Sequence, residues 1–186
     1  VALVWVSAHT GSNLWAQIHL ENLVASSNII AVGTVKALVH EESFAGYDDK
    51  GNLIKAQEKG LPPETEVSFF DYTLELEQVF FSDSTLAQPG SQVILRMFVK
   101  GTEPKDRTTQ EFPPSIPGDR NLFFLYHNPD GKTYGLRFAT ASRIWIDGPV
   151  ATFSDGQRTP VNFGSQFTPA EFIQAVKEIV RSQKDQ

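Results

Sequence analysis

The sequence predicts a mainly β domain of the α+β class, a five- to seven-stranded antiparallel barrel with a short helix before it and an amphipathic helix after it. Three observations carry that expectation. Within residues 67–81, positions 70–77 alternate between apolar and polar with period two, as a half-buried strand does. The turn signals between apolar runs are of hairpin type, and no strand–helix–strand alternation is present. The long apolar run 29–39 carries Gly33 in its interior, where a bulge or sharp bend lets a small barrel turn a corner.

Taken in order, residues 1–7 are apolar and β-branched and predict a first strand. The same letters resemble the end of a signal h-region, with Val6-Ser7-Ala8 as a small-residue cleavage site. Thr10-Gly11-Ser12-Asn13 is a turn cluster, and residues 14–19 fit strand or helix equally. Leu20, Leu23 and Val24 fall on one face of a short helix stopped by Ser26-Ser27-Asn28. After the strand at 29–39, residues 41–66 are polar and broken by Gly and Pro, with Asp49-Lys50-Gly51-Asn52 as a tight-turn signal inside them. In the strand that follows, Phe70, Tyr72, Leu74 and Leu76 face one way, and Asp71, Thr73, Glu75 and Glu77 the other.

Val93, Leu95, Met97 and Val99 alternate likewise with Ile94, Arg96 and Phe98. Residues 100–118 form a Pro-rich loop. Leu122-Phe123-Phe124-Leu125-Tyr126 is apolar on both faces and predicts a central strand buried on both sides. Asn128-Pro129-Asp130-Gly131 turns it into a hairpin with residues 133–139, and Asp147-Gly148 closes another. At the end, Thr168, Pro169 and Glu171 form a capping box with proline at the first helical position. Phe172, Ile173, Val176, Ile179 and Val180 supply the apolar stripe of a helix over 168–183.

The 186 residues suit one domain, divided into an N-terminal arm (1–19), the barrel (20–160) and the helix. A chain of this length buries roughly 70% of its unfolded surface and needs neither disulfide nor metal to fold. The absence of Cys removes thiol catalysis, thiolate metal sites and disulfides. A net charge of −6 with Lys and Arg scattered singly disfavours nucleic acid as a partner, because phosphate binding needs a basic patch. No apolar run reaches the roughly 18 residues of a spanning helix.

Several of these stretches together suggest a family. "IIAVGTV" after the short helix, then "YTLELEQVF", "GDRNLFFL" and "IDGPV", resemble the oligonucleotide/oligosaccharide-binding (OB) type barrel of small secreted bacterial proteins of unassigned function. The pattern is also distantly similar to netrin-like modules and tissue inhibitors of metalloproteinases. The resemblance spans about residues 20–153 and implies an OB-like fold and an extracytoplasmic setting. In those inhibitors a loop projects between the first two barrel strands; residues 47–55 occupy the equivalent place. The inhibitors' zinc-chelating N-terminal Cys and disulfides have no counterpart here, so their inhibitory chemistry does not carry over.

Candidate chemistry is sparse. His9, His19, His40 and His127 show no i, i+4 pairing; barrel-end clustering of His40 and His127 is one metal arrangement the pattern leaves, and His9 as an N-terminal histidine after cleavage at Ala8 would be a second, able to hold copper. Counting from Asp48, a calcium loop would need oxygen ligands where Lys50 and Lys59 stand. Glu75 and Glu77 share a face and form either an acid/base pair or the wet side of a sheet. No nucleophile elbow, phosphate loop or dinucleotide fingerprint is present. We therefore expect a non-enzymatic binding domain without cofactor or metal. It engages a protein or surface partner through the long loops 41–66 and 100–118, with Phe44, Tyr47, Leu53, Ile54, Phe112 and Ile116 as contact residues. The alternative is a carbohydrate or small-molecule binder that stacks its ligand on Phe69, Phe98 and Trp145 of the barrel face, and an enzyme is the third reading.

Overall fold

A computed structural model describes residues 3–7, 15–99, 117–136, 142–153, 161 and 166–184. Two strands, β1 (Leu3–Ser7) and β2 (Trp15–His19), pair antiparallel and lead into helix α1 (Leu20–Ala25). Strand β3 (Ile29–Phe44) is followed by a miniature hairpin, β4 (Gly46–Tyr47) and β5 (Leu53–Ile54), and two 3-10 turns. Then come β6 (Val67–Ser82), β7 (Gln92–Val99), β8 (Arg120–His127), β9 (Thr133–Leu136), β10 (Arg143–Trp145), β11 (Thr152–Phe153) and helix α2 (Pro169–Lys184). The chain is mainly β, with one short N-terminal and one C-terminal helix, as the pattern predicts.

The seven-stranded sheet runs β11-β10-β8-β3-β6-β7-β9, and β8 also pairs with β9. The pairings β3–β6–β7–β9–β8–β3 thus form a circuit of five strands. Neighbouring directions cannot alternate all the way round an odd-numbered circuit, so one pair must run parallel. That pair is β7 with β9, through Ile94 opposite Thr133 and Leu95 opposite Tyr134. The expected all-antiparallel arrangement is corrected accordingly: the sheet is mixed.

Alternation along β3 and β8 divides the apolar residues between two cores. Ile30, Val32, Leu122 and Phe124 face α1 and α2, where Phe172, Val176 and Val180 bury the helix stripe. Ile29, Ala31, Phe123 and Leu125 face the opposite way, packing with Phe70, Tyr72, Leu74 and Leu76 of β6 and Val93, Leu95 and Met97 of β7. Both faces of β8 are covered, which explains its unbroken apolar run. The α2 cap has the expected geometry: the Thr168 amide donates to Glu171 Oε2 at 2.8 Å, and the Glu171 amide donates to Thr168 Oγ1 at 3.3 Å.

Two features differ from the pattern. Residues 14–19, ambiguous in sequence, are strand where described, and β3 continues past residue 39 to Phe44, because Ser43 and Phe44 find partners in Ser68 and Val67. The register of β3 against β6 shifts four times, once beside Gly33. A side chain at Gly33 would put its Cβ 2.8 Å from the Glu75 carbonyl oxygen, so the bulge requires glycine.

Candidate functional site

The outer face of β6 and β7 reads in sequence as solvent-facing, yet at one end it is closed. Arg96 and Asp71 are cross-strand partners on that face. Arg96 Nε donates to Asp71 Oδ1 and Nη2 donates to Oδ2, both at 2.7 Å, a bidentate pair with side chains only 6% and 7% exposed. The third nitrogen, Nη1, donates to Asp130 Oδ2 at 3.1 Å and to the Tyr47 hydroxyl at 3.2 Å. The guanidinium carbon lies 4.1 Å from the centre of the Phe69 ring. One cation therefore joins β6, β7, the miniature hairpin and the turn between β8 and β9.

Each contributing segment is held in place locally. Asp130 Oδ1 accepts from the amides of Lys132 and Thr133, and its Oδ2 accepts from the Thr133 hydroxyl. Asp48 closes the 48–52 turn by accepting from the Lys50 and Asn52 amides, each at 2.8 Å. Gly51 has φ near +80°, and a Cβ there would lie 2.2 Å from the Pro129 carbonyl oxygen, so glycine lets the two turns touch. Phe44 stands edge-on to Phe69 at 5.4 Å and to Tyr47 at 5.3 Å, and His40 lies 5.5 Å from Phe69.

The electrostatics follow from this packing. Burial works against the Arg96 charge, but the bonds to Asp71 and Tyr47 outweigh it and hold the guanidinium charged. Burial pushes the Tyr47 phenol above its usual range. Burial would also raise the Asp130 carboxyl, but the bonds from Lys132 and Thr133 hold it below the ordinary aspartate value. The arrangement ties segments together; its carboxylates already accept bonds from their own chain.

The expected contact residues are distributed as follows. Phe44 is buried on Phe69, while Tyr47, Leu53 and Ile54 are half-buried. Phe112 and Ile116 lie outside the described residues. Of the aromatic-face set, Phe69 is fully buried. Phe98 is its cross-strand partner, and Trp145 on β10 is separated from β6 by β8 and β3, so the three do not form one stacking surface. His9 lies outside the described residues and His19 ends β2. His40 Nε2 is 3.2 Å from Glu42, whereas His127 is 3.4 Å from Asp83 and stacks on Tyr134. Among the described residues no three His, Asp or Glu side chains converge as a metal site. Glu75 and Glu77 belong to separate ion pairs, with Lys36 at 3.0 Å and Arg120 at 2.7 Å.

The sequence pattern does not single out Arg96 or Asp130 as site residues. Its one available signal was a lone pair of opposite charges, Asp71 and Arg96, on the same phase of two apolar strands. It also did not mark the exposed apolar side chains Leu38 (43%), Val39 (54%), Leu61 (43%) and Leu86 (79%). Compared with known proteins, the chain matches no family model and no curated protein sequence. Among the described residues, no helix is long and apolar enough to cross a membrane.

Proposed function

We propose that this is a non-enzymatic, extracytoplasmic binding domain whose partner, a protein, docks on the outer half of β3 and the connection that follows it. The observation that carries the reading is the run from Lys36 to Glu41, six consecutive exposed strand residues that include Leu38 and Val39. Leu61 adds a third exposed apolar side chain further along, with Leu53 and Ile54 half-exposed between. Apolar side chains exposed along a strand cost solubility unless a partner covers them. The aromatic-face alternative is weakened because Phe69 has no surface left on which a ligand ring could stack.

The framework we propose for this surface is an OB-like barrel. It is supported by the five-member circuit of pairings, by the apolar cluster inside it and by the repeated bulges of β3, which supply the curvature that closure needs. The extracytoplasmic setting rests on the sequence resemblance.

Capture experiments with immobilised protein and envelope or secreted fractions test the docking surface. Leu38→Ser/Val39→Ser should lose the species that the wild type and Leu86→Ser both retain, with an unchanged circular-dichroism spectrum. Equal capture by all three proteins contradicts the reading.

A further inference from the structure

We propose that residues 45–66 are a strap that opens as a unit from the outer face of β6 and β7, with Arg96 Nη1 as its latch. The strap holds its own shape. Asp48 ties the 48–52 turn, and the Ala45 amide donates to the Ile54 carbonyl. Glu66 accepts from the Ala56 amide at 2.8 Å and from the Ser43 hydroxyl at 2.7 Å, pinning the far end of the strap back to its start. A hairpin with two-residue strands is not stable by itself, so its position depends on what it leans against.

The attachment to the rest of the fold includes the Tyr47 hydroxyl on Arg96, the Tyr47 ring on Phe44, the backbone of the Gly51 turn against that of Pro129, and Lys55 Nζ donating to the Ser43 carbonyl on β3. At the flank, Lys55 pairs with Glu42 at 2.9 Å, where both side chains are more than a third exposed. Neither strand of the miniature hairpin pairs with the large sheet.

The latch is asymmetric. Asp71 sits directly across from Arg96 in the ladder and engages Nε and Nη2 at 2.7 Å, so it stays with the guanidinium whatever the strap does. Tyr47 and Asp130 share the remaining nitrogen at longer distances. When the strap lifts, Nη1 keeps Asp130 and loses only Tyr47, which leaves no buried charge unpaired. Opening is therefore far less costly than breaking the ion pair. It frees the Tyr47 side of a cation that lies over the Phe69 ring, while Phe44 and His40 of β3 stay against that ring.

Native-state hydrogen exchange on the intact chain tests this independently of any partner. The amides of Ala45, Asp48 and Leu61, bonded within the strap, should exchange roughly a hundredfold faster than that of Leu76, which bonds Ser91 in the β6–β7 connection. Tyr47→Phe should speed strap exchange roughly tenfold and leave Leu76 unchanged. Overturning results are strap and Leu76 amides that share one opening free energy, or a Tyr47→Phe variant that changes both equally or neither.

Discussion

Two arginines in this chain have the same partners in kind and opposite surroundings. Arg96 bonds Asp71 and Asp130, with side-chain exposures of 6%, 7% and 14%. Arg120 bonds Glu77 and Asp147, with exposures of 34%, 31% and 42%. Each joins two strands and a turn through one guanidinium. At Arg120 the thread of bonds continues through Glu77 to the Thr34 hydroxyl, and burial of Glu77 is outweighed by its bonds to Thr34 and Arg120, which lower its pKa. The difference is water. Around Arg120 solvent screens the charges and can replace any lost partner, whereas around Arg96 nothing can. Only the buried cluster can therefore dictate where loops sit, and only there does removal of one partner leave a charge stranded.

That contrast sets the order of expected effects. Arg96→Met leaves Asp71 and Asp130 buried without their cation and should cost about 3–5 kcal/mol in urea unfolding. Asp130→Asn removes one charge but keeps a side chain that fits the turn, and should cost about 1–3 kcal/mol. Because the folded Asp130 carboxyl titrates below its ordinary value of 3.8, its stabilisation is complete above that pH and is lost as the pH falls through the folded value. The stability gap between wild type and Asp130→Asn should accordingly narrow on acidification below about pH 4. Arg120→Met should cost at most about 1 kcal/mol, and the loss should shrink further in high salt. An Arg120 variant as damaging as the Arg96 variant would erase the distinction.

Much of the fold was legible because its signals are local. The alternation from Phe70 to Leu76, the capping box at Thr168 and Glu171 and the turn at Asp48–Asn52 each need only a few neighbouring residues. Both corrections come from long-range facts. The parallel β7–β9 pair follows from how many strands share the circuit, which no single strand records. The outer face of β6 reads as wet at Asp71 as it does at Glu75, and Glu75 is indeed half-exposed. Asp71 is buried because a hairpin more than a dozen residues away in sequence lies over it, together with a turn from beyond β8. Phe44, as part of a long loop, and Phe69, by its phase on a strand, fall into rival binding sites in the sequence, although they pack on each other. For the same reason, excising residues 44–60 would not isolate a binding loop, since it would also take Phe44 off the Phe69 ring.

A double-mutant cycle at the buried cluster examines whether one nitrogen holds two loops. Tyr47 and Asp130 are both acceptors of Arg96 Nη1. With either one removed, Nη1 keeps an acceptor; with both removed it is buried and unpaired. Unfolding free energies of Tyr47→Phe, Asp130→Asn with its amide nitrogen toward Nη1, and the double variant should show a loss exceeding the sum of the singles by about 1 kcal/mol or more. Additivity within about 0.3–0.5 kcal/mol would mean that the two loops are anchored independently and that Arg96 does not join them.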